Sequence, residues 1–245
     1  VEGKIFSVMS DVMQAGAFRV FGDSFSVEKL GGDYFDFWQN SETDFRVCIG
    51  DVAGNGVSVS LLLAFVRACV LQLRSEGNDS EQFLARLDDF IRSMSEQNTR
   101  RAMTFIYCTL DGATGNVDVA NAGHCFPLLI NSVDKKARVL EMPSRPLGSG
   151  RKMNIHSLRC RLAADETMIL YSGGLYRNCD MGFDRLCLII EESYSRCPKE
   201  YAHRIMERMA EYAPVELRTD DISLTVISPA TKNENIATVS GSGMV

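Results

Sequence analysis

The chain has 245 residues, a formal net charge of −6, 45% hydrophobic residues and 24% charged residues. That balance is ordinary for a soluble globular protein, and the length suffices for one large domain with a full core. An acidic chain is a poor partner for nucleic acid or an anionic membrane by default, and is compatible with binding cations.

Eight cysteines are spread along the chain, none of them as C-x-x-C: Cys48, Cys69, Cys108, Cys125, Cys160, Cys179, Cys187 and Cys197. Several sit inside apolar runs such as "RVCIG" and "FIYCTL". That pattern suits buried thiols in a reducing compartment rather than a zinc site or a disulfide framework. There is no signal-peptide pattern and no apolar run long enough to span a bilayer. The chain opens on Val1, which fits an excerpt of a longer protein. The expected location is the cytoplasm, either as a free protein or as the cytoplasmic domain of a membrane-bound one.

The spacing of Ile5, Phe6, Met9, Val12 and Met13 predicts an amphipathic helix over residues 4 to 18. "SFSVEKLGGDYFDFW" reads as strand, glycine-rich break, strand, and "FRVCIGD" as a short strand that turns at "GDVAGNG". Residues 58 to 74 are apolar nearly all round and predict a buried helix. Residues 80 to 94 predict an amphipathic helix, started by a capping box of Asp79 and Gln82. Short strands follow at "MTFIYCTLD", "NVDVANAG", "FPLLINS", "ARVLEM", "NIHSLRCRL" and "ETMILYS", divided by turn signals such as "DGATGN". Helices are predicted at 184 to 194 and, behind Pro198, at 199 to 213. "DDISLTVIS" closes the domain as a strand, and the tail from 229 to 245 is polar. The strands come as hairpins rather than as βαβ units, and the helices are bunched. This predicts an α+β domain over 1 to 228, with antiparallel sheets and helices packed outside.

Three aspartates end apolar stripes. Side chains alternate along a strand, so Asp33 shares a face with Phe35 and Phe37, Asp51 with Phe45, Val47 and Ile49, and Asp220 with Ile222, Leu224 and Val226. Asp36 and Asp221 fall on the opposite faces. A carboxylate aimed at a core is costly unless paired, and three that converge repel one another unless cations neutralise them. Oxygen-only ligands suit Mg²⁺ or Mn²⁺. Two such ions can activate a water and clamp a phosphoryl group, which is phosphate-ester hydrolysis with no side-chain nucleophile. Each aspartate taken alone also reads as a turn residue, and spacing does not establish that the three meet.

The ordered set "GGDYFDF…IGDVAGNG…LLLAF…NAGHCFPLLI…PLG…ILYSGGL…GFDRL…TDDISLTVI" resembles the phosphatase domain of the bacterial stage II sporulation protein E type, within the metal-dependent type 2C protein phosphatases (PPM). It runs from about residue 20 to 228. The resemblance implies a four-layer α-β-β-α sandwich and hydrolysis of phosphoserine or phosphothreonine on a partner protein, often an anti-anti-sigma protein of the STAS fold. It implies two Mn²⁺ or Mg²⁺ ions. Their ligands carry over onto Asp33, Asp51 and Asp220, with the Val52 carbonyl as a further ligand and Asp51 shared by both ions. Asp36, Asp221 and Asn55 are candidates for supporting positions around them. A sensor module ahead of this chain, and a dimer through the 1 to 18 helix, belong to the same expectation.

The chain departs from that pattern at Gly173. The family reads "S-D-G" where this chain reads "SGG", so a metal ligand is missing and one ion, or both, should bind weakly or not at all. The competing reading is a weak or inactive pseudophosphatase that binds a phosphoprotein without turnover. His124 in "NAGH" reads as a buried structural residue. The basic stretch "PSRPLGSGRKMN", with Arg145, Arg151 and Lys152, reads as a solvated loop or as a flap over an acidic partner.

Overall fold

The structure is a computed structural model that describes residues 11–25, 32–54, 56–77, 79–94, 102–150, 155–178, 182–212, 214 and 218–230. The elements in chain order begin with β1 (Met13–Ala15), β2 (Phe18–Phe25), β3 (Asp33–Gln39), β4 (Asp44–Val52), α1 (Val57–Leu73) and α2 (Ser80–Met94). The strands β5 (Met103–Asp111), β6 (Asn116–Ala122), β7 (Leu128–Asn131), β8 (Ala137–Val139), β9 (Ser157–Arg161) and β10 (Glu166–Tyr171) follow. Then come α3 (Gly174–Arg177), α4 (Phe183–Glu192), α5 (Pro198–Tyr212) and β11 (Ile222–Pro229).

Two antiparallel sheets result. One has the order β1-β2-β11-β10-β7-β8, the other β3-β4-β5-β6-β9. Alternation along the strands divides the apolar residues into three layers. Phe35, Phe45, Val47 and Ile49 of one sheet meet Val20, Met168, Leu170 and Ile227 of the other between the sheets. Tyr34, Trp38, Phe105 and Tyr107 turn outward against Leu63 and Val66 of α1 and Phe83 and Leu87 of α2. Phe21, Ile169, Leu224 and Val226 turn outward against Ile189 of α4 and Ile205 and Met209 of α5. This is the expected α-β-β-α sandwich.

Most predicted elements appear near their predicted bounds. The Asp79 carboxylate accepts the Gln82 N–H at 2.8 Å, as a helix N-cap should. Two expectations are corrected. Met13–Ala15, placed in the N-terminal helix, is a strand. It pairs with β2 through a turn at Gly16, whose φ of 57° favours glycine. A free sheet edge beside β2 outweighs a short helical periodicity. The rest of that helix, residues 1–10, lies outside the described residues, as do Asn55, Cys179 and the tail from 231.

The second correction concerns α1, which is not buried all round. Val59, Leu62, Leu63, Val66, Val70 and Leu73 are buried against the sheet and α2, but Val57, Leu61, Phe65 and Leu71 are exposed. The basic stretch is only partly a free loop. Leu147 exchanges backbone hydrogen bonds with Met103, and the Gly148 N–H donates to the Asp88 carboxylate at 2.8 Å. Arg151 and Lys152 lie outside the described residues.

Candidate active site

The site is built where the start of β3, the end of β4, the turn after β10 and the approach to β11 meet at one rim of the sandwich. Asp33 and Asp51 are direct cross-strand partners in the β3–β4 pairing. Both follow the face that carries Phe35 and Ile49, so both aim between the sheets. Asp33 is buried, and its Oδ2 accepts the Ser223 hydroxyl at 2.8 Å. The Asp33 N–H donates to Asp221 Oδ2 at 3.2 Å, which joins the first sheet to the second.

The electrostatics match carboxylates gathered with only partial compensation. Burial, above all, holds the Asp33 carboxyl well above its usual range; the Asp51 charge pushes the same way, while hydrogen bonds from Ser172 and Ser223 oppose it. Asp51 is also raised, chiefly by burial, with Asp220 and Asp221 adding to the shift and Arg177 opposing it. Four carboxylates from two sheets therefore feel one another.

Asp220 reaches the site, but not by the route that strand alternation suggested. The stripe of Ile222, Leu224 and Val226 faces the helices α4 and α5 rather than the space between the sheets. Asp220 precedes β11 and lies in a bend, so alternation does not govern it. Asn178 fixes this bend instead. Its side-chain oxygen accepts the Thr219 and Asp220 N–H groups at 2.8 and 2.7 Å, and its amide donates to the Asp220 carbonyl at 2.7 Å.

Asp36 does not join the cluster. It lies on the opposite face of β3, where it accepts the Tyr34 hydroxyl at 3.3 Å and pairs with Arg67 of α1 at 3.7 Å. His124 lies beneath the site. Its Nδ1 and the Thr104 hydroxyl are 2.9 Å apart, and Thr104 in turn donates to the Asp51 carbonyl at 3.4 Å. Burial, then the Arg177 charge, holds the imidazole down to about 3, so it is neutral at physiological pH.

Arg177 is the residue that sequence reasoning missed. Its Nε donates to Asp220 Oδ2 at 2.7 Å and its Nη2 donates to Asp51 Oδ2 at 2.9 Å. The guanidinium thus spans two carboxylates from different sheets. It lies against the bare Cα of Gly173: a Cβ placed there would come within 2.5 Å of the Arg177 Cζ and 2.9 Å of Nη2. A cation one helical turn after the missing carboxylate was the available signal in "GGLYR".

Whether these residues suit a metal ion depends on the side of the site. Around the side-chain-free face of Gly32, a Cβ would meet the Val52 carbonyl oxygen at 3.2 Å, Asp51 Oδ1 at 3.5 Å and the Gly54 carbonyl oxygen at 3.8 Å. That oxygen-only cradle next to Asp33 suits one hard divalent cation. The Asp51–Asp220 side does not suit a second, because Arg177 fills it. Among the described residues, no group of three or more His, Cys, Asp or Glu side chains could hold a metal ion. An ion on the Asp33–Asp51 side therefore relies on backbone carbonyls as well.

The family model for stage II sporulation protein E (SpoIIE) matches residues 41–229. The chain belongs to the SpoIIE family. Among curated relatives it is 26% identical over 149 residues to the phosphoserine phosphatase RsbP of Bacillus subtilis (strain 168). That match covers 60% of this chain and 37% of RsbP, so the chain spans well under half the length of the relative. Among solved structures it resembles the SiaA-PP2C domain of Pseudomonas aeruginosa, with a TM-score of 0.74, 18% identity and 86% of each chain covered. RsbX in complex with magnesium matches at a TM-score of 0.67 and 14% identity, over 91% of this chain and 100% of RsbX. At these identities the structural matches bear on the fold, which for this SpoIIE-family chain is the PP2C-type sandwich described above.

Proposed function

We propose that this SpoIIE-family domain is a metal-dependent protein phosphatase that hydrolyses phosphoserine or phosphothreonine on a partner regulatory protein. The observation that carries this reading is the convergence of Asp33, Asp51 and Asp220, with Asp221, from two sheets onto one rim beside an oxygen-only cradle. Asp33, Asp51 and the Val52 carbonyl are the residues that would hold one Mn²⁺ or Mg²⁺. Bound there, the ion supplies the charge that lowers the pKa of a water molecule and offsets the charge of the phosphoryl oxygens.

The chain's own residues prepare that site. Ser223 orients the Asp33 carboxylate, and Asp221 fixes the Asp33 backbone. Arg177 offsets part of the negative charge and is exposed enough to present its remaining N–H groups to an incoming phosphate. Neutral His124, with Thr104, supports the Asp51 backbone from below. The RsbP relative, a phosphoserine phosphatase by name, supports the phosphoserine part of this reading, and a sigma-factor pathway is the setting proposed. A STAS-fold anti-anti-sigma protein is the partner proposed, and the cytoplasm is the compartment proposed. No described helix is long and apolar enough to cross a membrane.

One observation favours a second reading. With Gly173 offering no ligand and Arg177 in its place, the domain could retain a phosphoprotein-binding rim without turnover. Phosphate release from a phosphoserine-bearing STAS protein separates the two. Release that needs Mn²⁺ and stops with EDTA is the expected result. Stable capture of the phosphoprotein with no release under Mn²⁺ or Mg²⁺ would overturn the phosphatase reading in favour of the binding module.

A further inference from the structure

We propose that Arg177 is a tethered cation that takes the place of a second metal ion between Asp51 and Asp220, and that Gly173 is the residue that admits it. The proposal rests on the phosphatase reading only in taking the carboxylate cluster as the functional site. Its basis is the geometry of the pair. α3 is a single turn that brings residue 177 back over residue 173, and the Tyr176 and Arg177 N–H groups both bond to the Gly173 carbonyl. The guanidinium then occupies the volume that any side chain at 173 would need. A carboxylate at 173 and a guanidinium in this position exclude each other.

Two charge-assisted bonds, to residues 126 and 43 positions away in sequence, distinguish this arrangement from a passing surface pair. The fork geometry of arginine suits bridging two carboxylates, as a lysine would not. The cost of gathering four carboxylates is met in part by a charge that is part of the chain. That charge differs from a metal ion in kind. It is single, it is always present, and it offers hydrogen bonds but no open coordination position. The domain would therefore work with at most one divalent ion, on the Asp33 side, and Arg177 would contact the phosphoryl oxygens where a second ion otherwise would.

Calorimetric titration with MnCl₂ tests this on the full chain, with Arg177→Gln and the double variant Gly173→Asp/Arg177→Ala. The double variant is expected to bind one Mn²⁺ more per chain than the parent. Arg177→Gln, which keeps most of the side-chain volume, is expected to tighten Mn²⁺ binding about tenfold or more, because a cation has left the neighbourhood. A parent that already binds two ions would overturn the proposal. So would an unchanged Mn²⁺ count and affinity in Arg177→Gln when its circular dichroism matches the parent, whether or not the double variant folds. A parent without phosphatase activity counts against the phosphatase reading and leaves this comparison intact. A parent that is active with two ions counts against Arg177 alone.

Discussion

Replacing Asp51 by alanine is expected to lower Mn²⁺-dependent phosphate release on the order of 10²-fold or more, the scale set by losing one preorganised charged group. Asp51 carries two tasks. One carboxylate oxygen borders the cradle beside Gly32, and the other accepts the Arg177 N–H. Losing it would remove a proposed ion ligand and free one arm of the guanidinium. Stability should respond differently. Asp51 is a partly buried carboxylate held above its usual pKa by burial and by Asp220 and Asp221, so its charge is a burden to the folded state. The Arg177 pair it forfeits is half-exposed, and such pairs contribute about 0–1 kcal/mol. In EDTA the variant should therefore melt within a few degrees of the parent, or above it. Activity lost at constant stability is the mark of a residue kept for function. Thermal melts beside phosphate-release assays check both halves, and a variant that keeps parental activity would remove Asp51 from the site.

Gly174→Ala is expected to damage both stability and activity. A Cβ at 174 would press into the Asp221 carbonyl group, 2.8 Å from its carbon, and lie 3.2 Å from the Asp220 Cβ. Its opponents are backbone rather than the end of a flexible side chain, so they cannot swing away. Forced overpacking of this kind costs about 1–3 kcal/mol, and more where relaxation is blocked. The segment that must move is the Asp220–Asp221 bend, which the Asn178 side chain braces and which sets both carboxylates. Gly182→Ala is the matched control. It has an extended backbone with φ of −64°, and a Cβ there meets nothing within 4 Å. A Gly174→Ala protein that melts and hydrolyses like Gly182→Ala would contradict the close approach.

Antiparallel sheets with helices outside were legible because the strands announce themselves twice, by their β-forming runs and by turn residues between them, while the four-layer sandwich came from the family resemblance. β5, β6, β10 and β11 lie where those signals put them. β1 was not legible. Three residues carry too little pattern to compete with a helical spacing, and pairing with β2 decided the outcome. Asp33 and Asp51 were readable as inward-facing rim carboxylates because each belongs to a strand, whose successive side chains go in turn to the layer between the sheets and to the helices. Asp220 was picked out by a face argument that does not apply, since it stands ahead of its strand. Its position depends on Asn178, four residues past Gly174, which no periodicity marks. Arg177 was passed over for a related reason, its one signal being its place a helical turn after Gly173. One arginine in a short helix carries no motif, and its role emerges only when the space above Gly173 is known.

The Asp33–Asp51 rim, on this reading, is the ion-holding half of a phosphatase site. A crystal structure grown with Mn²⁺, with anomalous differences measured at the manganese edge, tests that most directly. The expected result is a peak bounded by the Asp33 and Asp51 carboxylates and the Val52 carbonyl, with Arg177 still bridging Asp51 and Asp220. Absence of manganese from that cradle at saturating Mn²⁺ would contradict it.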